Sequence, residues 1–227
     1  MILPTAELYS DVHCPWAYLS IYRLRRVWPE YQGRLRIVWR SLSLEIQNER
    51  PTPKRIVDNE VSVMLQQEPE LPMRPWSAPV HEYPVTFLPA FEAIKCAELQ
   101  GDDQAWALSW RIREAFFRDH LCVSMRHVLI RLAGEVGLDV AAFSSEWDLG
   151  RHRPAVLAES ESGWRRVRVP GSPTFVLPSG RKVFNPAAAK VTWGPNHEPL
   201  EVNPPDCPGG DCLQVFRDLL DEATHAS

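Results

Sequence analysis

Cys14 is the residue whose type and setting most invite chemistry. It stands in His13-Cys14-Pro15-Trp16-Ala17, where a strand-like run over residues 6–10 gives way to Ala17, Ile21, Leu24 and Trp28 at helical spacing. A cysteine at a helix N-terminus faces unpaired N–H donors and a partial positive charge, and both favour a thiolate. The expectation is a pKa below the free value of about 8.5, lowered further by His13 if that ring is protonated. The bland reading is a buried cysteine acting as a small hydrophobe. Pro15 and Trp16 suit an interior helix poorly, so Cys14 and His13 are taken as catalytic candidates, with Pro15 and Trp16 beside them in the substrate cleft.

A second candidate is Val169-Pro170-Gly171-Ser172-Pro173-Thr174-Phe175. Proline entering a buried strand donates no ladder hydrogen bond, which makes sense if the Ser172–Pro173 bond is cis. That geometry would leave the N–H and C=O of Ser172 free to pair with an extended substrate, so Ser172 and Pro173 are substrate-binding candidates. A third is the turn Cys207-Pro208-Gly209-Gly210-Asp211-Cys212, short enough to bring both sulfurs within disulfide reach. It reads as an accessory redox pair, as half of a zinc site needing His13, His197 or other ligands, or as two thiols of no special role. The remaining histidines have no metal-ligand spacing, so no metal is expected. Cys96 and Cys122 read as packing residues. Trp106, Trp110 and Trp147 read as core, and Tyr18 and Trp76 are candidates for the groove wall.

These residues need elements to hold them. The strand over 6–10, the helix opened by Pro15 and ended by Pro29 and Gly33, and the alternation of Leu35, Ile37 and Trp39 with Arg34, Arg36 and Arg40 make a βαβ unit with parallel strands. Eight prolines between positions 51 and 89 interrupt regular structure, so the stretch 48–89 should wrap the surface. Residues 91–147 turn helical, with Ser124 and Asp139 as N-caps and Gly137 and Gly150 as stops. Thr174-Phe175-Val176-Leu177, a Pro178-Ser179-Gly180 turn and Lys182-Val183-Phe184 form a hairpin. The stretch 195–210 should be loop, and Asp211 caps a last helix with Leu213, Phe216 and Leu220 on one face.

The fold class is therefore α/β, in the order βαβ, a helical insertion, then ββα. The expected divisions are 1–50 for the βαβ half, 51–167 for the proline-rich connection and insertion, and 168–227 for the ββα half.

Composition bounds the function. At 44% hydrophobic and 24% charged residues the chain is an ordinary globular protein. A net charge of −4 argues against nucleic acid or an anionic membrane as partner. The basic clusters at Arg23-Leu24-Arg25-Arg26, residues 34–40 and Arg165-Arg166-Val167-Arg168 read as solvated faces. The N-terminus shows no signal-peptide pattern and no apolar run approaches a membrane span, so the cytoplasm is the expected location. Five cysteines there point to reactive or buried thiols rather than a disulfide framework.

Asp11-Val12-His13-Cys14-Pro15-Trp16-Ala17-Tyr18-Leu19 resembles the active-site segment of the DsbA-like family, in particular its FrnE-like branch, where Cys-Pro-Trp-Cys is typical. Gly171-Ser172-Pro173-Thr174-Phe175 is similar to that family's cis-proline loop, and Ala115-Phe116-Phe117 with residues 128–139 resembles its helical insertion. The likeness spans about residues 6–185 and implies a thioredoxin-like fold with a helical insertion between its βαβ and ββα halves, and thiol–disulfide exchange at the first cysteine, on protein, peptide or glutathione substrates. No bound cofactor is required, with glutathione a candidate co-substrate. The oligomeric state is left open.

Ala17 breaks the pattern, because it stands where the resolving cysteine would be. Cys14 can form a mixed disulfide, but position 17 cannot release it. A monothiol oxidoreductase is the leading expectation. A glutathione-dependent isomerase or transferase, as in the related 2-hydroxychromene-2-carboxylate isomerases and kappa-type glutathione transferases, is its rival. Those relatives typically carry serine at the position of Cys14. A non-catalytic thioredoxin-fold binding module is the third reading.

Overall fold

The structure is a computed structural model, and it describes residues 3–225. Strand β1 (Thr5–Ser10) runs into helix α1 (Pro15–Val27), and β2 (Arg36–Ser41) returns parallel to β1, with Ala6 opposite Ile37 and Leu8 opposite Trp39. Proline opens α1 because its missing N–H would have no intrahelical partner there. Gly33, at φ +74°, takes a left-handed turn that a side chain would resist.

Short α2 (Leu44–Asn48) is capped by the Ser43 side chain. The proline-rich stretch then departs from its expected irregularity. Its prolines gather at the ends, leaving residues 54–67 free to form α3 (Lys54–Gln67), a helix of 14 residues that buries Val57, Val61, Val63 and Met64. Proline spacing along the whole stretch conceals such a proline-free window.

Helices α4 (Leu88–Ala97), α5 (Asp102–Phe117), α6 (Arg126–Glu135), α7 (Val140–Asp148) and α8 (Arg153–Glu161) follow. Asp139 caps α7 by accepting from the N–H groups of Ala141 and Ala142, whereas α6 begins after Met125 and not at Ser124. A π-helical turn over residues 162–167 leads to β3 (Thr174–Val176) and β4 (Lys182–Phe184). The four strands lie in the order β2-β1-β3-β4, with β3 antiparallel to both of its neighbours.

Strands β5 (Lys190–Trp193) and β6 (Pro199–Asn203) form a separate antiparallel hairpin, which corrects the loop expected over 195–210. Val191, Trp193 and Val202 pack against the helical core while Lys190 and Thr192 are exposed, but the strands are short and prolines and glycines surround β6. Helix α9 (Cys212–His225) closes the fold, with the Leu213 N–H bonded to the Asp211 carboxylate at 2.8 Å.

Two large apolar clusters hold these layers. Ala6, Leu8, Ile37 and Phe175 of the sheet pack with Ile21, Leu24 and Val27 of α1 and with Phe216, Leu219 and Leu220 of α9. Tyr18 and Leu19 of α1 join Trp39 and the helices α3 to α8 in the other cluster. Arg23 belongs to this interior and not to a solvated face. It is 1% exposed, its Nε donating to Glu68 at 3.2 Å and its Nη1 to the Ala187 carbonyl at 2.7 Å.

Candidate active site

The parallel β1–β2 pair and the α1 that follows it place Cys14 at the carboxyl end of β1 and the first turn of α1. Cys14 is the N-cap residue, in extended conformation, and its side chain caps no N–H of the helix. Its Sγ donates instead to the Ser172 carbonyl at 3.3 Å, across 158 residues of chain. The Asp11 N–H donates to Ser172 Oγ at 2.9 Å, and the Ser172–Pro173 peptide bond is cis. The two segments singled out in the sequence therefore meet, and the carbonyl of Ser172, expected free for a substrate, is taken by the thiol.

Asp11 organises the corner. Its Oδ1 accepts from the His13 N–H at 2.8 Å and its Oδ2 from the Leu44 N–H at 2.7 Å, which joins the β1–α1 turn to the start of α2. His13 lines the same cavity as Cys14, and its ring is held by other partners. Its Nε2 lies 2.9 Å from Thr52 Oγ1, its ring stacks on Phe87 at 4.0 Å, and its Nδ1, 2.5 Å from Asp11 Oδ1, makes no aligned hydrogen bond. This placement gives His13 a part in locking the turn.

Beneath the turn lies Arg113 of α5, fully buried. Its Nη1 donates to the Ser109 carbonyl and hydroxyl and its Nη2 to Ser10 Oγ and the Asp11 carbonyl, both at 3.2 Å. Burial pulls its pKa down to about 10, with the Asp11 carboxylate opposing that fall.

The thiol departs from expectation. Cys14 is only 4% exposed, and burial pushes it up to about 12, with the charge of Glu60 acting in the same direction. The backbone at Ala17 and the Ser172 side chain pull it down by less. Desolvation of the charged form therefore outweighs the helix N-terminus.

A cavity of about 520 Å³ opens beside the sulfur. Cys14, Pro15, Trp16 and Ser172 line it, facing Ile56 and Glu60 of α3, Phe184 of β4 and His197 of the β5–β6 hairpin. Of the sequence candidates, Tyr18 and Trp76 are absent from this wall and sit in the core. Tyr18 stacks on Phe117, with its hydroxyl donating to the Pro72 carbonyl at 3.2 Å. Glu60, Thr52 and Arg113 escaped sequence reading because they come from α3, its preceding loop and α5, with no local motif. Asp11 could have been found, since it stands inside the quoted motif.

Cys207 and Cys212 are joined as a disulfide. Neither cysteine lines the cavity at Cys14. Arg217, next to it through Asp211 at 3.5 Å, pairs with Glu30 at 3.0 Å, and the Tyr31 hydroxyl donates to the Arg217 carbonyl at 3.1 Å. Cys96 is buried and Cys122 half-buried. Among the described residues no group of three or more His, Cys, Asp or Glu is placed to hold a metal ion, and no helix is long and apolar enough to cross a membrane.

A thioredoxin-like sheet, a cysteine at the start of the helix that follows β1 and a cis-proline loop against its sulfur define the class. Residues 5–192 match the DSBA-like thioredoxin domain, and the chain belongs to that family. No curated protein sequence matches it significantly. The fold is similar to that of the cytosolic disulfide reductase DsbM from Pseudomonas aeruginosa, at 19% identity and TM-score 0.63 over 96% of this chain and 100% of that one. DsbM with GSH gives the same identity and score over 96% and 99%. A 2-hydroxychromene-2-carboxylate isomerase is similar at 16% identity and TM-score 0.59, over 96% and 95%.

Proposed function

We propose that the protein is a monothiol thiol–disulfide oxidoreductase acting through Cys14. The observation that carries this reading is the contact of Cys14 Sγ with the Ser172 carbonyl at the wall of an open cavity, in a chain of the DSBA-like family. Ionised Cys14 attacks one sulfur of a substrate disulfide, a Cys14–substrate disulfide forms and the second substrate sulfur leaves as a thiol. With Ala17 at the position of a resolving cysteine, a second, external thiol completes the exchange. Glutathione is the proposed co-substrate, and the DsbM structure holding GSH is consistent with it. Trp16, Pro15 and the loop at Ser172 and Pro173 form the docking wall. The proposed compartment is the cytoplasm, where reduced thiols are abundant.

The test is turnover of a glutathione mixed disulfide, coupled to reduction of the oxidised glutathione formed. The protein should turn over, and Cys14→Ser should fall to background. A second reading draws on the thiol's raised pKa, which weakens Cys14 as a nucleophile. In it the cavity is that of a glutathione-dependent isomerase or transferase, and glutathione supplies the reacting sulfur. Disulfide turnover that survives in Cys14→Ser would discard the first reading.

A further inference from the structure

Among the described residues Glu60 is the one carboxylate on the cavity wall with Cys14, and its partners are unusual. Its Oε1 meets His197 Nε2 at 2.9 Å, and among the described residues it pairs with no lysine or arginine. Asp58, a half-turn away, takes Lys54. Arg50 lines the same cavity from its exposed rim, whereas the Glu60 side chain is only 15% exposed. His197 is held firmly: its ring stacks on Trp193 at 3.8 Å, and its carbonyl accepts from Asn59 Nδ2 at 2.8 Å. Asn196 and His197 both take positive φ at the tip of the hairpin, which presents the ring to α3.

A fixed negative charge beside a nucleophilic sulfur opposes the thiolate, and after burial it is the largest influence holding Cys14 protonated. Such a charge is useful if a substrate cancels it. We propose that Glu60 selects disulfides carrying an ammonium or guanidinium next to the reacting sulfur, and that docking of this cation releases the Cys14 thiolate.

The step balances without an outside oxidant. The cation docks at Glu60, and Cys14 gives up its proton. The Cys14 sulfur bonds to one sulfur of the substrate, the substrate's S–S bond breaks, and the departing sulfur takes up a proton. One thiol and one disulfide enter, and one thiol and one mixed disulfide leave. This selectivity rests on the proposed exchange at Cys14, but it can be read without turnover.

The experiment compares single-hit modification of Cys14 by 2-aminoethyl and 2-sulfonatoethyl methanethiosulfonate in the Cys122→Ser background. Each rate is normalised to that of a neutral model thiol. The cationic reagent should be favoured by about tenfold or more, as expected for unit charges several ångströms apart beside a protein cavity. Glu60→Gln keeps the side chain's size and its hydrogen bond to His197, and should shrink the preference to about twofold while raising the rate with the anionic reagent. An unmodified protein without cationic preference, or one whose preference Glu60→Gln leaves intact, overturns the proposal and leaves Glu60 a tie between α3 and the hairpin. A preference that depends on Glu60 in a protein without disulfide turnover would reject the exchange reading alone.

Discussion

At the scale of single residues, two opposing effects act on Cys14. The helix N-terminus favours the thiolate, and enclosure by the Ser172 loop and the first turn of α1 disfavours it. With the thiol pushed up to about 12, burial wins. The thiolate fraction then grows about tenfold for each pH unit below that value. Alkylation of Cys14 by neutral iodoacetamide should rise log-linearly from about pH 7 to pH 10 with no plateau, the ordinary range of a free thiol being about 8.5. A plateau below about pH 8 would show a stabilised thiolate instead. The motif around Cys14 was legible in the sequence, but its protonation was not. Burial is set by residues from α3 and from the loop at Ser172, roughly 40 and 160 positions away, and no local spacing reports it.

At the scale of elements, the β1–α1–β2 unit and the β3–β4 hairpin could be read directly from period-2 alternation, Pro15 at a helix start and a Pro-Ser-Gly turn. Helix α3 was hidden by the prolines around it, and the β5–β6 hairpin by the prolines and glycines of its stretch. The tail disulfide belongs to this scale too. Closing a loop of about six residues should stabilise α9's attachment by about 2 kcal/mol. Cys207→Ser/Cys212→Ser should therefore lower the free energy of unfolding in urea by about that amount. The alkylation rate of Cys14 should stay unchanged, because neither tail cysteine lines the cavity at Cys14. A large change in that rate would show the tail reaching the cavity.

At the scale of the whole molecule, Arg113 ties the helical layer to the sheet. It is wholly buried, and its guanidinium bonds Ser10 and Asp11 of the β1 end while its own helix, α5, packs on α4. Trp39 Nε1 donates to the same Ser10 hydroxyl at 2.9 Å, and Trp39 stacks on Phe91 of α4. Arg113→Leu would remove the buried cation that faces the Asp11 carboxylate and strand the Asp11 carbonyl, while Ser10 Oγ would keep only its bond from Trp39. It should destabilise the protein by about 3 kcal/mol. Unfolding should remain one transition, coincident by tryptophan fluorescence and far-UV circular dichroism, because the sheet and the helices share this buried network. Two separated transitions would show that the layers are energetically independent.

The sequence by itself determined the local parts: a strand running into a proline-started helix with Cys14 at its head, a proline at a strand entrance, and the family resemblance that these two segments carry. Each depends on neighbours in the chain, so each leaves a local pattern. Only the tertiary structure decided that Cys14 faces the Ser172 carbonyl, that His13 meets Thr52 and Phe87, and that the tail cysteines are paired outside the cavity lining. It also decided that Glu60 and His197 share the cavity with the sulfur. Those facts arise from chain crossings between distant elements, and desolvation and charge pairing follow from the crossing and not from spacing along the chain.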